Sequence, residues 1–215
     1  MISLSVHNLG KNYGQNIVFR NLSFGFPSQV TGIAGSNGSG KSTLLRCLAG
    51  LLKPSGGTVS WFHDKNEIAF KKLNQVLGFT APYIELYEGL SSRENLEFLL
   101  DLSRGPNNDK ETDLDRHLER FDASAFSNKK YGELSTGQRQ RVKLAASCLH
   151  RPSILCLDEP GSNLDPGGKK LVRKTVEQFK LEDKMVLIAS NLEEELELCD
   201  QIINLDQPEK KLSDR

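Results

Sequence analysis

Apolar and polar residues alternate with a period of two in the first part of the chain. Ile2, Leu4 and Val6 are one example of this alternation, which is typical of strands with one buried face. A short and mainly apolar run follows at 30–34 and predicts a fully buried strand. Together these patterns predict strands at 2–9, 17–26, 30–34, 58–62 and 76–80.

The spacing of apolar residues becomes helical in the middle of the chain. Leu96, Leu99 and Leu100 recur at the three- and four-residue spacing of one helix face. A second helix is predicted in the same way at 114–121. These helices predict a helical region inserted into the rest of the fold, which we place at about 83–150.

Helices and strands alternate after residue 134. This alternation is typical of a mostly parallel sheet that is covered by helices on both faces. We therefore predict an α/β fold that spans 1–215 as a single domain, with a charged and frayed tail at 207–215. The predicted elements are helices at 136–150, 166–180 and 191–198 and strands at 153–158, 185–190 and 201–205.

Composition and charge argue against several classes of function. The chain has 215 residues, with 28 basic and 28 acidic side chains, so binding of nucleic acid through a basic surface is not expected. No apolar run approaches the roughly 20 residues of a membrane-spanning helix, and no secretion signal is expected. The four cysteines form no C-x-x-C pair, which argues against a zinc site and favours a reducing cytoplasm.

A glycine-rich run that begins at Gly35 fits the phosphate-binding-loop (P-loop) pattern, G-x-x-x-x-G-K-[ST], at every required position. Its glycines let backbone N–H groups surround a phosphate, and the helix that follows adds the positive end of its dipole. We expect Lys41 to bind the β- and γ-phosphates of a nucleoside triphosphate and the Ser42 hydroxyl to ligate Mg²⁺. The predicted nucleotide-binding residues are Gly35, Ser36, Asn37, Gly38, Ser39, Gly40, Lys41, Ser42 and Thr43.

Two acidic residues, Asp158 and Glu159, end the predicted strand at 153–158. Ligands of open α/β sheets bind at the carboxyl ends of the strands, where these side chains are expected. We expect Asp158 to hold Mg²⁺ and Glu159 to polarise the water that attacks the γ-phosphate, with Glu159 and Lys41 as catalytic residues. The alternative is a strand that simply ends in polar residues before Pro160.

The residues Leu-Ser-Thr-Gly-Gln begin at Leu134, between the P-loop and the acidic pair. They resemble the L-S-G-G-Q signature of ATP-binding-cassette (ABC) ATPases, which lies directly upstream of an Asp-Glu strand. The segment Ser162–Asp165 resembles the D-loop of this family, and Tyr13 matches the aromatic residue that stacks on adenine. The resemblance covers roughly residues 2–205.

This resemblance implies a P-loop NTPase core with a mostly parallel sheet, an N-terminal antiparallel β subdomain and a helical insert. It also implies that two such domains meet head to tail with ATP between them, so that Ser135, Gly137 and Gln138 contact ATP bound by the partner domain. Two structural interpretations stay open. Ser135 can cap the helix that follows it, and Gln138 with Arg139 and Arg141 can form a solvated helix face.

Two positions depart from the family's pattern. Pro82 stands where the family usually has a Gln that contacts Mg²⁺, and Ser190-Asn191 stands where it has a switch His. Asn191 can donate a hydrogen bond to a γ-phosphate oxygen, but it cannot carry the positive charge of a His. We count Asn191 as catalytic and expect weak but real ATPase activity, because Glu159 is present. Asn191 can alternatively be the N-cap of the helix at 191–198.

The segment Tyr83–Leu96 resembles the corresponding region of bacterial cassettes that serve small export systems, and the chain as a whole resembles heme-exporter and related ATPases. This resemblance implies an ATP-binding subunit that is cytoplasmic and peripheral on the inner face of the cell membrane. Its implied partners are separate integral membrane subunits and a second ABC domain, which forms a homodimer or a heterodimer. Tyr83, Leu86 and Tyr87 are candidates for the groove that accepts the membrane subunit, or they pack inside the helical insert.

The sequence also leaves room for functions other than a transport ATPase. The alternative favoured by Pro82 and Asn191 is a non-hydrolysing or weakly hydrolysing regulatory clamp that is gated by ATP, or the degenerate partner of a heterodimeric pair. A cassette that acts in translation would usually carry tandem nucleotide-binding domains, and a DNA-repair cassette would separate its motifs by a long coiled coil. This sequence shows neither tandem nucleotide-binding domains nor a basic linker, and its motifs are too closely spaced for a DNA-repair cassette.

Overall fold

Two sheets and the helices packed on them make up the fold. The computed structural model describes residues 1–27, 29–103, 113–162, 164–206 and 213–214. The strands are β1 (Ile2–Tyr13), β2 (Asn16–Pro27), β3 (Val30–Ala34), β4 (Gly56–His63), β5 (Asn66–Glu67), β6 (Leu77–Thr80), β7 (Ile154–Asp158), β8 (Met185–Ala189), β9 (Gln201–Asn204) and β10 (Ser213–Asp214). The helices are α1 (Lys41–Leu48), α2 (Phe70–Val76), α3 (Ser92–Ser103), α4 (Leu114–Arg120), α5 (Thr136–Cys148), α6 (Pro166–Leu181) and α7 (Glu193–Leu196).

The first sheet is antiparallel, with the strand order β2-β1-β4-β5. Leu4 is central to it, since it pairs with Phe26 of β2 and with Trp61 of β4. All three side chains are buried in one apolar cluster with Leu44 and Leu48 of α1. The alternation in the sequence therefore reflects one face of this sheet packed on the P-loop helix, as expected for a half-buried antiparallel sheet.

The second sheet has the order β10-β9-β3-β8-β7-β6, and the five strands from β9 to β6 are parallel. All residues of β3, β7 and β8 are buried because helices and the first sheet cover both faces. The carboxyl ends of β3, β8 and β7 lie side by side in this order. The predicted α/β fold with a mostly parallel sheet and an N-terminal antiparallel sheet is confirmed.

Helices α3, α4 and α5 pack on one another in the region where a helical insert was expected. Their shared core includes Leu96, Phe121, Tyr131 and Val142, which belong to the same apolar cluster as Val186 of the parallel sheet. Of the residues proposed for a groove or for internal packing, Leu86 packs on this core, whereas Tyr83 and Tyr87 are largely exposed.

Several expectations need correction. Helix α2 and the short strand β5 were not predicted, and α7 is shorter than the predicted 191–198. Leu192, not Asn191, is the N-cap of α7, so the interpretation of Asn191 as a cap is wrong. Of the tail expected to be frayed, 207–212 and Arg215 lie outside the described residues, and Ser213–Asp214 pair antiparallel with β9. Asn163 of the D-loop-like segment also lies outside the described residues.

Candidate nucleotide-binding site

Three loops with polar side chains meet at the carboxyl edge of the parallel sheet. The P-loop follows β3, the acidic pair ends β7, and Ser190-Asn191 follows β8. Because β8 lies between β3 and β7, these loops are neighbours in space although they are far apart in the sequence. This edge is where open α/β sheets bind their ligands.

The P-loop has a backbone conformation that favours glycine. Gly40 has a φ of 100° and is the N-cap of α1, so it lies in the left-handed region that side chains rarely adopt. A Cβ atom at Gly40 would also lie 2.6 Å from Val18 Cγ1. The loop therefore leads directly into the first turn of α1. The first backbone amides of α1 have no acceptor within the helix and are suited to bind a phosphate.

Lys41 is the first residue of α1, and only 5% of its surface is exposed. Its Nζ donates hydrogen bonds to the backbone carbonyls of Gly35 and Ser36, both at 2.9 Å. These contacts fold the ammonium group over the loop. A buried positive charge at the start of a helix is suited to an anionic phosphate group.

Ser42 and Asp158 are joined directly. Ser42 Oγ donates a hydrogen bond to Asp158 Oδ1 at 2.9 Å, and Asp158 is 1% exposed. Burial raises the pKa of Asp158, and the hydrogen bond from Ser42 partly opposes this effect. The second oxygen, Asp158 Oδ2, is buried without a hydrogen-bond partner among the described residues.

These features fit a divalent cation. Mg²⁺ prefers oxygen ligands and is usually held by one or two carboxylates together with substrate phosphates. A buried carboxylate oxygen without a partner, beside a hydroxyl at the end of the P-loop, supplies such a ligand set. A cation here would also offset the cost of burying the charge of Asp158.

Glu159 has a left-handed backbone, with a φ of 47°. Its N–H donates to Ala189 O at 2.8 Å, and its carbonyl accepts hydrogen bonds from Ser162 N and Ser162 Oγ. The side chain lines a cavity of about 310 Å³ together with Ser190, Asn191 and Lys169. The tight turn after β7 thus places Glu159 at the border of an open space beside Asn191.

Asn191 reaches back to the P-loop. Its Nδ2 donates a hydrogen bond of 3.0 Å to Oδ1 of Asn37. Both side chains are exposed. The structure therefore places Asn191 between the P-loop and the cavity that Glu159 lines, where an amide donor can face a phosphate group.

Tyr13 lies at the end of the hairpin formed by β1 and β2 and is 51% exposed. The Lys11 ammonium group lies 4.9 Å from the centre of its ring. The hairpin is near the P-loop, since a Cβ atom at Gly40 would lie 2.6 Å from Val18 Cγ1 of β2. An exposed aromatic ring beside the loop is available for stacking, as the resemblance implies.

The signature-like residues begin helix α5. Ser135 is its N-cap, and its Oγ accepts a hydrogen bond from Gln138 N while Gln138 Oε1 accepts one from Ser135 N. The interpretation of Ser135 as a helix cap is therefore confirmed. Gly137 has open space around its Cα, and Ser135 is exposed, so both are accessible from outside the domain.

The solvated-face interpretation is wrong for the two arginines. Arg139 donates to the carbonyls of Leu134 and Gly132, and Arg141 pairs with Asp165 at 3.0 Å. Asp165 is in turn the N-cap of α6. These contacts tie the start of α5 to the segment that resembles the D-loop.

Sequence reasoning missed two side chains at this site. Tyr83, next to Pro82, lies with its ring 5.4 Å from the Arg46 guanidinium, and burial together with the nearby charge of Asp158 raises the pKa of its hydroxyl. Asp206 accepts hydrogen bonds from Ser36 N and Ser36 Oγ. Pro82 itself offers only its carbonyl, which accepts from Lys143 Nζ at 3.1 Å. Nothing in the local sequence signals the contacts of Tyr83 and Asp206, because each contact joins segments that are far apart in the sequence.

The P-loop at the start of α1, the acidic pair at the end of β7 and the parallel sheet define the class of P-loop nucleotide-binding proteins. A family model described as ABC transporter matches residues 19–162, and the chain belongs to this family. By this membership it is an ATP-binding protein and an ATPase. Among the described residues, no helix has the length and apolar character needed to cross a bilayer.

Known relatives agree with this assignment. The uncharacterised ABC transporter ATP-binding protein YdbJ of Bacillus subtilis is 33% identical over 211 residues, which cover 97% of this chain and 68% of YdbJ. The structure of cbiO1 from Clostridium perfringens, part of the ABC transporter complex cbiONQ, is 29% identical with a TM-score of 0.75, and the match covers 94% of this chain and 83% of cbiO1. MJ0796, a bacterial ABC transporter cassette in dimeric form, is 25% identical with a TM-score of 0.76 over 94% of this chain and 93% of its own.

Proposed function

We propose that this chain binds Mg²⁺ and ATP, dimerises head to tail with a second ABC domain, and hydrolyses ATP slowly to drive separate membrane subunits of a transporter. The observation that carries the proposal is the Ser42–Asp158 hydrogen bond of 2.9 Å, which joins the P-loop helix to the acidic strand. Glu159, the residue after Asp158, lines one cavity together with Asn191.

Each residue of the site has its own role in this mechanism. Lys41 and the first amides of α1 hold the phosphates of ATP, and Ser42 with Asp158 holds Mg²⁺. Mg²⁺, when bound, neutralises charge on the phosphates. Glu159 accepts a hydrogen bond from the water whose oxygen attacks the γ-phosphorus, and Asn191 donates one to a γ-phosphate oxygen. As the water oxygen bonds to the γ-phosphorus, its proton passes to Glu159 and from there to solvent. The bond between the γ-phosphorus and its bridging oxygen breaks with its electron pair left on that oxygen, which yields ADP and inorganic phosphate.

A second domain would complete the site. The exposed Ser135 and the open Gly137 at the start of α5 are accessible to ATP held by a partner cassette, and a dimeric relative supports this arrangement. Because only ATP has a γ-phosphate to bridge the two domains, hydrolysis would release the pair. Location at the inner face of the membrane follows from this role as the subunit that drives membrane partners.

Phosphate release by the purified chain tests the proposal. We expect slow steady-state turnover that requires Mg²⁺ and falls to background in the Glu159→Gln variant, which should also form an ATP-dependent dimer in light scattering. The alternative favoured by Asn191 is a clamp that binds ATP without hydrolysing it. Turnover of the wild type equal to that of Glu159→Gln would establish the clamp and sink the hydrolysis proposal.

A further inference from the structure

A buried carboxylate lies behind the turn that carries Glu159. Glu195 of α7 is 5% exposed, and its Oε1 accepts a hydrogen bond of 2.6 Å from the backbone N–H of Gly161. Gly161 lies two residues after Glu159 in the same turn. A Cβ atom at Gly161 would overlap Glu195 Oε1, so the close approach of this carboxylate depends on the glycine.

The Glu159 turn is held from two sides. On one side, Glu159 N donates to Ala189 O of β8. On the other side, Glu195 binds the Gly161 amide, and Ser162 closes the turn through its two hydrogen bonds to Glu159 O. Helix α7, which carries Glu195, begins two residues after Asn191. The Glu195 carboxylate thus connects the segment that follows Asn191 with the turn that carries Glu159.

Burying this carboxylate costs free energy. Burial raises the pKa of Glu195, while the nearby Ser190 hydroxyl and the hydrogen bond from Gly161 favour its charged form. Its neighbour Glu194 is exposed instead and forms an ion pair with Lys169. A buried carboxylate is weak evidence for a stabilising role. The position of Glu195 is therefore better explained by its effect on the orientation of the Gly161 amide.

We propose that Glu195 is a positioning residue for ATP hydrolysis: it fixes the Gly161 amide and thereby holds the Glu159 backbone in the orientation that directs its carboxylate into the cavity shared with Asn191. The proposal rests on the proposed ATPase mechanism. Glu195 lies behind the turn and acts through Gly161, so it affects the rate of hydrolysis and leaves the binding of ATP at the P-loop unchanged.

The test compares steady-state turnover and the KM for Mg-ATP in matched variants. We expect Glu195→Ala to lower kcat by about tenfold to a hundredfold, the factor that corresponds to one charged hydrogen bond, with KM within about twofold. Glu195→Gln keeps an oxygen that accepts from Gly161, and its kcat stays within about threefold of wild type. Glu193→Ala, which removes an exposed acid of the same helix, leaves both parameters unchanged.

Two further measurements keep the test decisive. Gly161→Ala displaces the Glu195 carboxylate from the opposite side, and we expect the same loss of kcat at unchanged KM, even if Glu195→Ala does not fold. Hydrogen exchange at the Gly161 amide can be measured without any ATP hydrolysis. We expect this amide to be protected from exchange in wild type and in Glu195→Gln and to lose this protection in Glu195→Ala.

The outcomes separate this inference from the proposed function. A wild-type kcat in both Glu195→Ala and Gly161→Ala overturns the inference, as does a parallel rise of KM or a loss that Glu195→Gln does not restore. If wild-type turnover equals that of Glu159→Gln, the proposed hydrolysis fails first. An unprotected Gly161 amide in the wild type would then reject the Glu195 contact by itself.

Discussion

The hydroxyl of Ser42 and the carboxylate of Asp158 are 2.9 Å apart and hydrogen-bonded, although 116 positions separate them in the sequence. This contact places the beginning of α1 against the end of β7, across the edge of the parallel sheet. A hydroxyl and a carboxylate arranged in this way can face one divalent cation together. Substitution of a member of this pair therefore tests the proposed metal site.

Asp158→Asn keeps an oxygen that accepts from Ser42 but removes the charge that would hold Mg²⁺. We expect Mg²⁺-dependent turnover to fall by about a hundredfold or more, because the phosphate charge loses its counterion. Affinity for ATP in the absence of Mg²⁺ should stay within about threefold, since Lys41 and the α1 amides are intact. Phosphate release and Mn²⁺ binding followed by electron paramagnetic resonance measure the two effects.

The same variant should be more stable than wild type without metal at neutral pH. The folded-state pKa of Asp158 is raised, so ionisation of this acid destabilises the folded state as pH rises above its unfolded pKa, and Asn avoids this cost. Asp64→Asn, in an exposed turn, is the control and should leave metal binding unchanged. Undiminished Mn²⁺ affinity in Asp158→Asn would remove Asp158 from the metal site.

Periodicity and buried apolar runs were enough to predict most of the fold. The strands β3, β7 and β8 are buried at every position, and their sequences are mainly apolar. Helix α2 was missed because it buries only Leu73, while its first residue Phe70 is 72% exposed. A short helix with one buried residue has no apolar stripe for the pattern to detect.

Asn191→His tests the switch position. A His can donate to the γ-phosphate, as is proposed for Asn191, and can also carry a positive charge, so we expect turnover to rise by about tenfold, while ATP affinity stays within about threefold. Titration with a fluorescent ATP analogue and phosphate release measure the two quantities. Asn74→His, on the exposed side of α2, is the matched control. Loss of nucleotide affinity in Asn191→His would contradict this role.

The motifs that can be recognised in the sequence are contiguous, whereas the contacts that surround them are not. The P-loop and the acidic pair were predicted because each fills a fixed local pattern. Asp206 binds Ser36 across 170 positions, and Glu195 binds Gly161 across 34. Only the folded chain brings these carboxylates to the site, because β9 lies beside β3 and Glu195 of α7 contacts the turn after β7.

Ser135 combines a structural contact with a proposed role in the partner's site, and two substitutions separate these. Ser135→Ala removes the cap of α5 and should lower the free energy of unfolding by about 1 kcal/mol. Ser135→Asp can still accept from Gln138 N, so stability should be retained, whereas turnover should be lost because a carboxylate would repel the γ-phosphate of the partner's ATP. Urea denaturation and phosphate release provide the readouts. Wild-type turnover in Ser135→Asp would show that Ser135 only caps the helix.

His117 predicts a dependence of stability on pH. Its Nε2 lies 2.8 Å from Ala145 O and donates to this carbonyl in the neutral ring, and burial lowers the pKa of His117. Because the folded-state pKa lies below the unfolded one, stability is full above the unfolded pKa of about 6.5 and falls as pH decreases toward the folded-state value. Unfolding at pH 7.5 and at pH 5.5 should show a smaller difference in His117→Gln than in wild type, and an equal difference would exclude this histidine as the cause.

The packing of α5 on the edge strand β6 gives the sharpest prediction about stability. A Cβ atom at Gly78 would lie well inside contact distance of the Ser147 carbonyl oxygen and 3.0 Å from Pro152 Cγ. Because the nearest atom belongs to the backbone of α5 and cannot easily move away, the overlap would not be relaxed. Gly78→Ala should therefore lower the free energy of unfolding by about 3 kcal/mol. Gly89→Ala is the control, because a Cβ atom there would meet nothing within 4 Å, and its effect should stay within about 0.5 kcal/mol. Urea midpoints at constant m-value measure both, and equal effects would show that α5 does not pack this closely on β6.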